Sequence, residues 1–393
     1  MGMGMTLSKS SFIAIGVGQG DAFFFRRGRR TALIDGGRST YGFPSQFSRV
    51  TGRRRVDIVV CTHNDADHAG GIIGFLESGM GCKEVWLPAS WTDRLRDILL
   101  SPTEFIEELF YNIANQKDTP DIPSLESWGE KHYDRIIEKR HKGEVTVKEE
   151  LYDILGEDDV CDREIKEIVW NKLLWPLHPW VLNRVLAIEK QKIDMFIEAL
   201  LQADRIRKIA LAAYHSGAEI RWFEVDNSSR FPVTKDDFLY PLNARGIVKI
   251  RQGRWSALEF LALTRVNRES LVLLSPATNE NPGVLFTSDS DLSFAQDIPW
   301  ADGMIITAPH HGAESNARAY KRFIAETNNS CDVIWVRSDC KSKSRPGNSF
   351  LNAPGRRFCT VCRNSPHPKQ DVRFIVRYGT WRPVKPTRPC ECR

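Results

Sequence analysis

The chain has 393 residues, enough for one large domain or two ordinary ones, and its 41% hydrophobic and 27% charged residues are typical of a globular protein. No apolar run approaches the ~18 residues needed to cross a bilayer, and the start lacks the apolar core of a secretory signal. We therefore expect a cytoplasmic protein with no membrane partner. The net charge of +5 permits an anionic substrate such as nucleic acid or a nucleotide, and does not require one.

The first forty residues predict a β-hairpin. Residues 12–15 and 22–25 alternate around glycine-rich turns, an arginine-rich turn follows at 26–30, and residues 31–34 form the returning strand. This strand ends at Asp35, which stands before two glycines. A carboxylate at a strand end either serves a site or only closes a turn.

A cluster of possible metal ligands follows the next expected strand, at residues 56–60. Four residues that can bind metal stand within six positions: His63, Asp65, Asp67 and His68. Imidazole nitrogens together with carboxylate oxygens suit zinc, manganese or iron better than calcium. His63 with Asp65, and Asp67 with His68, are spaced to serve two neighbouring ions. Because a helix is expected from Gly70, the ligands lie between a strand end and a helix start, where α/β proteins usually carry their chemistry.

Apolar residues recur at helical spacing between about 88 and 204, for example at Phe105, Ile106 and Leu109. This spacing predicts a helical insertion at 89–204. Its tryptophans between 170 and 180 form either a small core or a surface that binds a partner protein. His178 and His215 are weak candidates for a further metal ligand.

The pattern becomes β-rich again from residue 247. Strands are expected at 271–274 and 284–286, and the second is followed by Asp289, with Asp291 close by. A further apolar run leads into Ala308-Pro309-His310-His311-Gly312.

The last fifty residues form a basic tail that contains four cysteines, Cys359, Cys362, Cys390 and Cys392. The first pair has the spacing of a zinc knuckle and the second pair is tight, so a structural zinc, free reduced thiols and a disulfide all stay open. An odd total of nine cysteines without a secretory signal argues against a disulfide framework. Lys343, Arg345 and their basic neighbours favour contact with nucleic acid.

Five motifs lie along the chain in one order. They are the opening hairpin (residues 15–22 and 31–37), the His63-x-Asp65-x-Asp67-His68 stretch with its Ala-Gly-Gly, and residues 266–273, 285–289 and 308–312. Together they resemble the metallo-β-lactamase superfamily, in its competence-protein (ComEC-like) branch. The resemblance covers roughly residues 11–90 and 205–340.

The resemblance implies one or two divalent ions, zinc or manganese, held by His63, Asp65, Asp67, His68, Asp289 and His311. Asp35 would orient the metal loop, Asp67 would also orient the attacking water, and Asp289, with Asp291 as the alternative, would bridge two ions. Of the histidine pair, His311 is favoured as the ligand and His310 for contact with the substrate or support of a ligand.

The chain departs from the branch after the expected strand at 333–336. The branch carries a His-Pro pair there, whereas this chain has Arg345-Pro346, and a protonated arginine cannot bind a metal. We therefore assign Arg345 and Lys343 to binding of a substrate phosphate or carboxylate.

We expect an α/β protein with the four-layer αββα sandwich of the metallo-β-lactamase type. Residues 1–88 and 205–340 would form its two halves, 89–204 the helical insertion, and 341–393 the basic tail. The implied reaction is hydrolysis by metal-bound hydroxide, and a phosphodiesterase or nuclease acting on nucleic acid is favoured. A hydrolase of a small phosphodiester or another ester is one alternative, because fold does not settle the substrate. A binding or regulatory module that has lost catalysis is another.

Overall fold

Two β-sheets carry the expected metal loop. The computed structural model describes residues 10–116, 124–142, 146–147, 189–230, 238–247, 251–252, 255–338, 345–362 and 369–392. The strands in these residues are β1 (Ser11–Ala14), β2 (Phe23–Arg27), β3 (Arg30–Ile34), β4 (Ile58–Val60), β5 (Glu84–Pro88), β6 (Thr146–Val147), β7 (Glu219–Val225), β8 (Tyr240–Pro241), β9 (Ala244–Ile247), β10 (Arg251–Gln252), β11 (Leu273–Ser275), β12 (Val284–Phe286), β13 (Ile305–Thr307), β14 (Ile334–Arg337), β15 (Arg356–Cys359), β16 (Val372–Arg377) and β17 (Thr380–Pro383).

Helices connect and cover these strands. The α-helices are α1 (Phe43–Thr51), α2 (Ala66–Glu77), α3 (Leu95–Leu100), α4 (Pro102–Ala114), α5 (Leu125–Lys142), α6 (Lys190–His215), α7 (Ala257–Leu263), α8 (Ala317–Thr327) and α9 (Asn348–Leu351). Short 3-10 helices lie at Ala89–Arg94, Asn267–Glu269, Pro309–Gly312 and Glu314–Asn316. Within the described ranges, no helix has the length and apolar character needed to cross a membrane.

The first unit consists of the described parts of Met1–Pro88, Ser216–Gly246 and Ser270–Arg393. Nine of its strands form one sheet in the order β17-β16-β1-β2-β3-β4-β5-β7-β9, and six form a second in the order β15-β14-β13-β12-β11-β8. Strands β3, β4, β5 and β7 run parallel to one another, as do β12, β13, β14 and β15. The basic tail supplies β15, β16 and β17, and so contributes to both sheets.

Alternation along β2 distinguishes the two faces of the first sheet. Phe23 and Phe25 contact Phe286 of β12 across the interior, with ring centroids 5.9 Å apart in both pairs. Phe24, between them, points to the other face and packs on Phe47 of α1, at 6.0 Å. The inner face is therefore buried against the second sheet and the outer face against a helix.

The second sheet shows the same alternation at β14. Ile334 and Val336 belong to the core between the sheets. Trp335 faces outward and packs on Tyr320 and Phe323 of α8, with ring centroids 5.2 and 5.4 Å away. Helices thus cover the outer faces of two facing sheets, and the expected αββα sandwich is confirmed.

A second unit consists of the described parts of Ala89–His215 and Ile247–Glu269. Helices α3 to α7 form most of it, with Phe105 of α4 packed on Phe260 of α7. It extends past the expected end at residue 204, because α6 continues to His215. The second unit also includes residues 247–269. The sequence suggested strands there, but a capping box of Ser256 and Glu259 starts helix α7. The tryptophans between 170 and 180 lie outside the described residues.

Helix α2 approaches the segment after β3 along a face of glycines. A Cβ added to Gly71 would lie 2.0 Å from the Gly36 carbonyl oxygen, and one added to Gly74 would lie 1.8 Å from the Thr40 carbonyl oxygen. Main-chain atoms cannot move aside as a flexible side chain can. Glycine therefore sets the position of α2, whose first turn carries two of the expected ligands.

Replacement of Gly74 by alanine tests this contact. We expect Gly74→Ala to lower the free energy of unfolding by about 2–3 kcal/mol, because the added methyl group overpacks against a carbonyl. Gly81→Ala is the matched control: its Cβ would lie 3.4 Å from Arg55 Cγ, an ordinary contact, so a change within about 0.5 kcal/mol is expected. Urea unfolding measures both, and equal effects of the two substitutions would contradict the close approach.

Candidate metal centre

The candidate ligands follow the carboxyl ends of parallel strands in both sheets. Asp35 comes directly after β3 and His63 after β4, and in the second sheet Asp289 follows β12 while His310 and His311 follow β13. Such ends are where open α/β sheets form their sites. Residues from distant parts of the sequence therefore meet at one edge of the sandwich.

The metal stretch lies partly in a loop and partly in a helix. Helix α2 begins at Ala66, four residues before the expected start at Gly70, and Asp65 occupies its N-cap position. The main-chain nitrogens of His68 and Ala69 donate to the Asp65 carbonyl oxygen at 3.0 and 2.8 Å. The first turn of a rigid helix thus fixes Asp67 and His68.

Asp289 occupies the middle of the site, with its two oxygens facing different donors. Oδ1 lies 3.3 Å from His68 Nε2 and 3.7 Å from His311 Nε2. Oδ2 lies 3.6 Å from His63 Nε2 and 3.7 Å from His310 Nε2. The residue is 2% exposed. Its carboxylate is therefore placed to be shared between two cations.

Hydrogen bonds fix the orientation of two of the imidazoles. His68 Nδ1 lies 2.8 Å from Asp35 Oδ2, and His311 Nδ1 lies 3.1 Å from Asp21 Oδ1 and 2.9 Å from the Ser338 carbonyl oxygen. Carboxylates and carbonyls only accept, so Nδ1 of each ring donates. In the neutral rings the two Nε2 lone pairs then face each other at 3.3 Å. A divalent ion bound by both nitrogens removes this repulsion, so the donors fit a metal.

Electrostatics at these imidazoles also favour a cation. Burial opposes the charged form of both rings, but nearby carboxylates outweigh it and raise the pKa well above the ordinary histidine value. Asp289 and Asp35 act on His68, and Asp21 and Asp289 act on His311. The site therefore attracts positive charge, as protons or as metal ions.

His63 faces Asp289 from the other side. Its Nε2 lies 3.9 Å from Asp65 Oδ2 and is buried with no hydrogen-bond partner among the described residues. Its Nδ1 lies 3.1 Å from Thr62 Oγ1 and 3.2 Å from Ser288 Oγ. Burial, together with the nearby positive charge of His68, lowers the pKa of His63. A neutral ring keeps a lone pair available for a metal ion.

The balance of charge points the same way. Five aspartates gather here, each with little exposed surface: Asp21, Asp35, Asp65, Asp67 and Asp289. Burial would raise the pKa of Asp67, yet its contact with His311 and the charge of His68 hold that pKa far below its usual range. Buried carboxylates cost several kcal/mol each without compensating charge. One or two divalent ions would supply that compensation.

His310 lies on the His63 side of the site. Its Nδ1 is 3.3 Å from Asn316 Oδ1, and Asn316 Nδ2 donates to the Asp289 carbonyl oxygen at 2.8 Å. This contact turns His310 Nε2 towards Asp289 Oδ2. The sequence interpretation separated the roles of the two histidines. In the structure both reach Asp289, on opposite oxygens.

Backbone strain is concentrated at the same place. Asp35, Ser288, His310 and His311 all have positive φ, at 55°, 49°, 45° and 54°. Such conformations cost about 1–3 kcal/mol each in non-glycine residues and persist where surrounding contacts impose them. The main-chain nitrogen of His310 donates to the Ser288 carbonyl oxygen at 3.0 Å, which joins two of the strained residues.

Asp21 belongs to the site, and the sequence alone assigned it no role. The opening Gly-Val-Gly-Gln-Gly-Asp segment contributed only to the resemblance, with no role given to its carboxylate. A Cβ at Gly20 would lie 1.7 Å from the Asp67 carbonyl oxygen, and the Asp21 nitrogen donates to that oxygen at 3.1 Å. A glycine followed by a carboxylate ahead of a buried strand was the available signal.

The remaining candidate residues are not among those that face Asp289. Asp291, the alternative to Asp289, accepts a hydrogen bond from the Ser293 main chain at 2.9 Å. The Arg345 segment runs beside the histidine turn, since the Gly347 nitrogen donates to the Gly312 carbonyl oxygen at 2.8 Å. His215 ends α6 in the second unit. Lys343 and His178 lie outside the described residues.

Comparison with known proteins bears on this site. Residues 15–82 match the family model of the metallo-beta-lactamase superfamily. This segment includes Asp21, Asp35 and the whole stretch from His63 to His68. No curated protein matches the chain. The match, with the αββα sandwich, supports the superfamily, whose members are generally hydrolytic metalloenzymes, and it suggests a metal-dependent hydrolase.

The role of Asp21 is open to a direct test. We expect Asp21→Asn to weaken metal binding by about 10–100-fold, the usual effect of removing a carboxylate that orients a histidine ligand. Competition with a chromophoric chelator measures the affinity. Asp226→Asn is the control, because among the described residues the Asp226 carboxylate accepts hydrogen bonds from Ser228 and Ser229 of its own loop and not from the site. If Asp21→Asn binds metal as tightly as this control, the carboxylate does not support His311.

Proposed function

We propose that the chain is a phosphodiesterase, and in particular a nuclease, that works with two divalent ions, zinc or manganese. The observation that carries the proposal is the position of Asp289, whose two oxygens face two separate sets of donors. Two ions that share a carboxylate suit displacement at phosphorus, because one can hold the attacking oxygen and the other the leaving oxygen. The order of the sequence motifs supports placement in the competence-protein branch.

Two donor sets follow from the geometry. His68, His311 and Asp67 serve the Oδ1 side of Asp289; Asp67 Oδ2 lies 3.5 Å from His311 Nε2. His63 and Asp65 serve the Oδ2 side. When bound, divalent ions lower the pKa of a coordinated water and polarise the scissile group as Lewis acids.

His310 takes a defined place in this scheme. Without a further donor, the set on the Oδ2 side of Asp289 would contain only His63 and Asp65. We assign His310 to that set, because its Nε2 faces the same oxygen of Asp289 as His63 does. His63, Asp65 and His310 then form a set comparable in size to the one on the Oδ1 side.

Exposure indicates the side from which a substrate approaches. The side chains of Asp67 and His310 are each 18% exposed, whereas those of Asp35, His68 and Asp289 are at most 2% exposed. Asp67 is therefore both a metal donor and accessible to a reacting water, which its carboxylate can orient. The buried residues can act only as ligands or as supports of ligands.

An anionic substrate is favoured by charge. The Arg345 segment runs beside Gly312, next to the two histidines. Arginine binds phosphate through a planar fork of donors, so Arg345 and Lys343 are assigned to the phosphate backbone of a nucleic acid. The excess of basic residues, 55 against 50 acidic, agrees with this substrate class and with nucleic acid as the partner.

Cleavage assays with a matched pair of variants test the proposal. We expect the purified protein to cut labelled DNA or RNA with manganese or zinc and not with a chelator. Asp289→Asn should lower the rate by more than about a hundredfold, beyond the range for residues that only orient ligands. Asp291→Asn, two positions away and turned to Ser293, should cut at the rate of the unmodified protein.

Two further substrates separate the alternatives. A small aryl phosphodiester reports on phosphodiesterase activity without nucleic acid, and an aryl carboxylic ester reports on general ester hydrolysis. Turnover of the phosphodiester alone would replace the nuclease by a small-phosphodiester hydrolase. A metal-loaded protein that turns over none of these substrates would contradict the hydrolase and favour a binding module.

A further inference from the structure

The C-terminal residues pack against β15, the strand after which the chain makes an excursion into the first sheet. After β15 in the second sheet, the chain forms β16 and β17 in the first sheet and then comes back. Pro389 pairs with Phe358 of β15 in an antiparallel bridge, and the Cys390 nitrogen donates to the Arg357 carbonyl oxygen at 2.8 Å. Both ends of this excursion carry cysteines.

Four sulfur atoms converge where the two ends meet. Cys359 Sγ lies 2.7 Å from Cys390 Sγ, and Cys362 Sγ lies 3.6 Å from Cys392 Sγ. Ligand atoms of Cys359, Cys390 and Cys392 all lie within 4.8 Å of one another. In a zinc tetrathiolate, Zn–S bonds of about 2.3 Å put neighbouring sulfurs about 3.8 Å apart. The Cys362–Cys392 separation is close to this value and the Cys359–Cys390 separation is shorter. Three of the sulfurs are therefore close enough to one another for a single ion, and Cys362 Sγ lies beside one of them, Cys392 Sγ.

Main-chain groups are directed at these sulfurs. The Glu391 nitrogen donates to Cys362 Sγ at 3.2 Å, and the Cys392 nitrogen donates to Cys390 Sγ at 3.4 Å. Hydrogen bonds of this kind orient metal ligands and stabilise negative charge on them. Cys359, Cys362 and Cys392 are buried, so the sulfurs are held inside the fold instead of on a free tail.

A buried positive charge lies next to the turn that joins two of the cysteines. Arg337 is 1% exposed, and its Nη2 donates to the Val361 carbonyl oxygen at 2.7 Å, in the turn between Cys359 and Cys362. Four thiolates and one Zn²⁺ carry a net charge of −2. The buried guanidinium offsets part of this charge, as a buried anionic centre requires.

We propose that Cys359, Cys362, Cys390 and Cys392 bind one structural Zn²⁺ that closes the excursion through β16 and β17. Binding releases four thiol protons to the solvent and involves no oxidation. The ion holds the chain end against β15, the edge strand of the second sheet, and so keeps that edge from pairing with other chains. It also supports Arg337, whose neighbour Ser338 accepts the hydrogen bond from His311 Nδ1.

Metal analysis and spectroscopy of the full chain, purified with a reducing agent, test this site separately from catalysis. We expect one zinc per chain with sulfur ligands only, seen by X-ray absorption, in addition to any zinc in the aspartate and histidine centre. Asp289→Asn should keep this zinc. Cys359→Ser should lose it, and Cys331→Ser should retain it, because Cys331 is a described cysteine outside the cluster.

Cobalt substitution of the unmodified protein covers the case in which Cys359→Ser fails to fold. Co²⁺ at a four-thiolate site gives strong thiolate-to-cobalt charge-transfer absorption, whereas Co²⁺ bound by aspartate and histidine does not. Absence of both this absorption and the zinc–sulfur signal would overturn the proposal. Mass spectrometry that finds disulfides Cys359–Cys390 and Cys362–Cys392 in the reduced preparation would replace the zinc by a covalent clamp.

Discussion

The structure of the site depends on one shared carboxylate. Asp289 projects from the end of β12 in the second sheet, while His63 and His68 come from the segment after β4 in the first. Its oxygens lie 3.3 Å from His68 Nε2 and 3.6 Å from His63 Nε2 only because the carboxyl ends of both sheets meet at one edge. The core that holds the sheets together, with Phe286 against Phe23 and Phe25, therefore also sets the geometry of the candidate metal centre.

Close backbone packing maintains that geometry. Gly20 abuts the Asp67 carbonyl, and the glycines of α2 abut the segment after β3. Asp35 joins the segment after β3 to the segment after β4. Its oxygens accept hydrogen bonds from the Thr62 nitrogen at 2.8 Å and from Thr62 Oγ1 at 2.7 Å. The buried charge and the strained backbone at His310 and His311 are costs that such packing has to sustain. Rigid support of this kind is what a preorganised metal site requires.

Much of the fold and part of the site could be predicted from the sequence. Short β-branched runs and the dense stretch from His63 to His68 carry strong local signals, and the αββα sandwich followed from the motif order. The role of Asp21 could not be predicted, because Asp21 meets His311 across 290 positions of sequence. The approach of His310 to Asp289 could not be predicted either, because it depends on the conformations of the loops after β12 and β13. The start of α2 at Ala66 was missed because Asp67 and His68 look like loop residues until the N-cap at Asp65 is seen. The strands of the tail were not predicted, and the partner of β16, β1, lies at the other end of the sequence.

The most direct test of the account is the position of the ions in the manganese-loaded protein. Anomalous X-ray scattering recorded at the manganese absorption edge locates them without reference to activity. We predict two peaks, one on each side of the Asp289 carboxylate, with His68 and His311 at the first and His63 and His310 at the second. A single peak, or two peaks that do not share Asp289, would contradict the account.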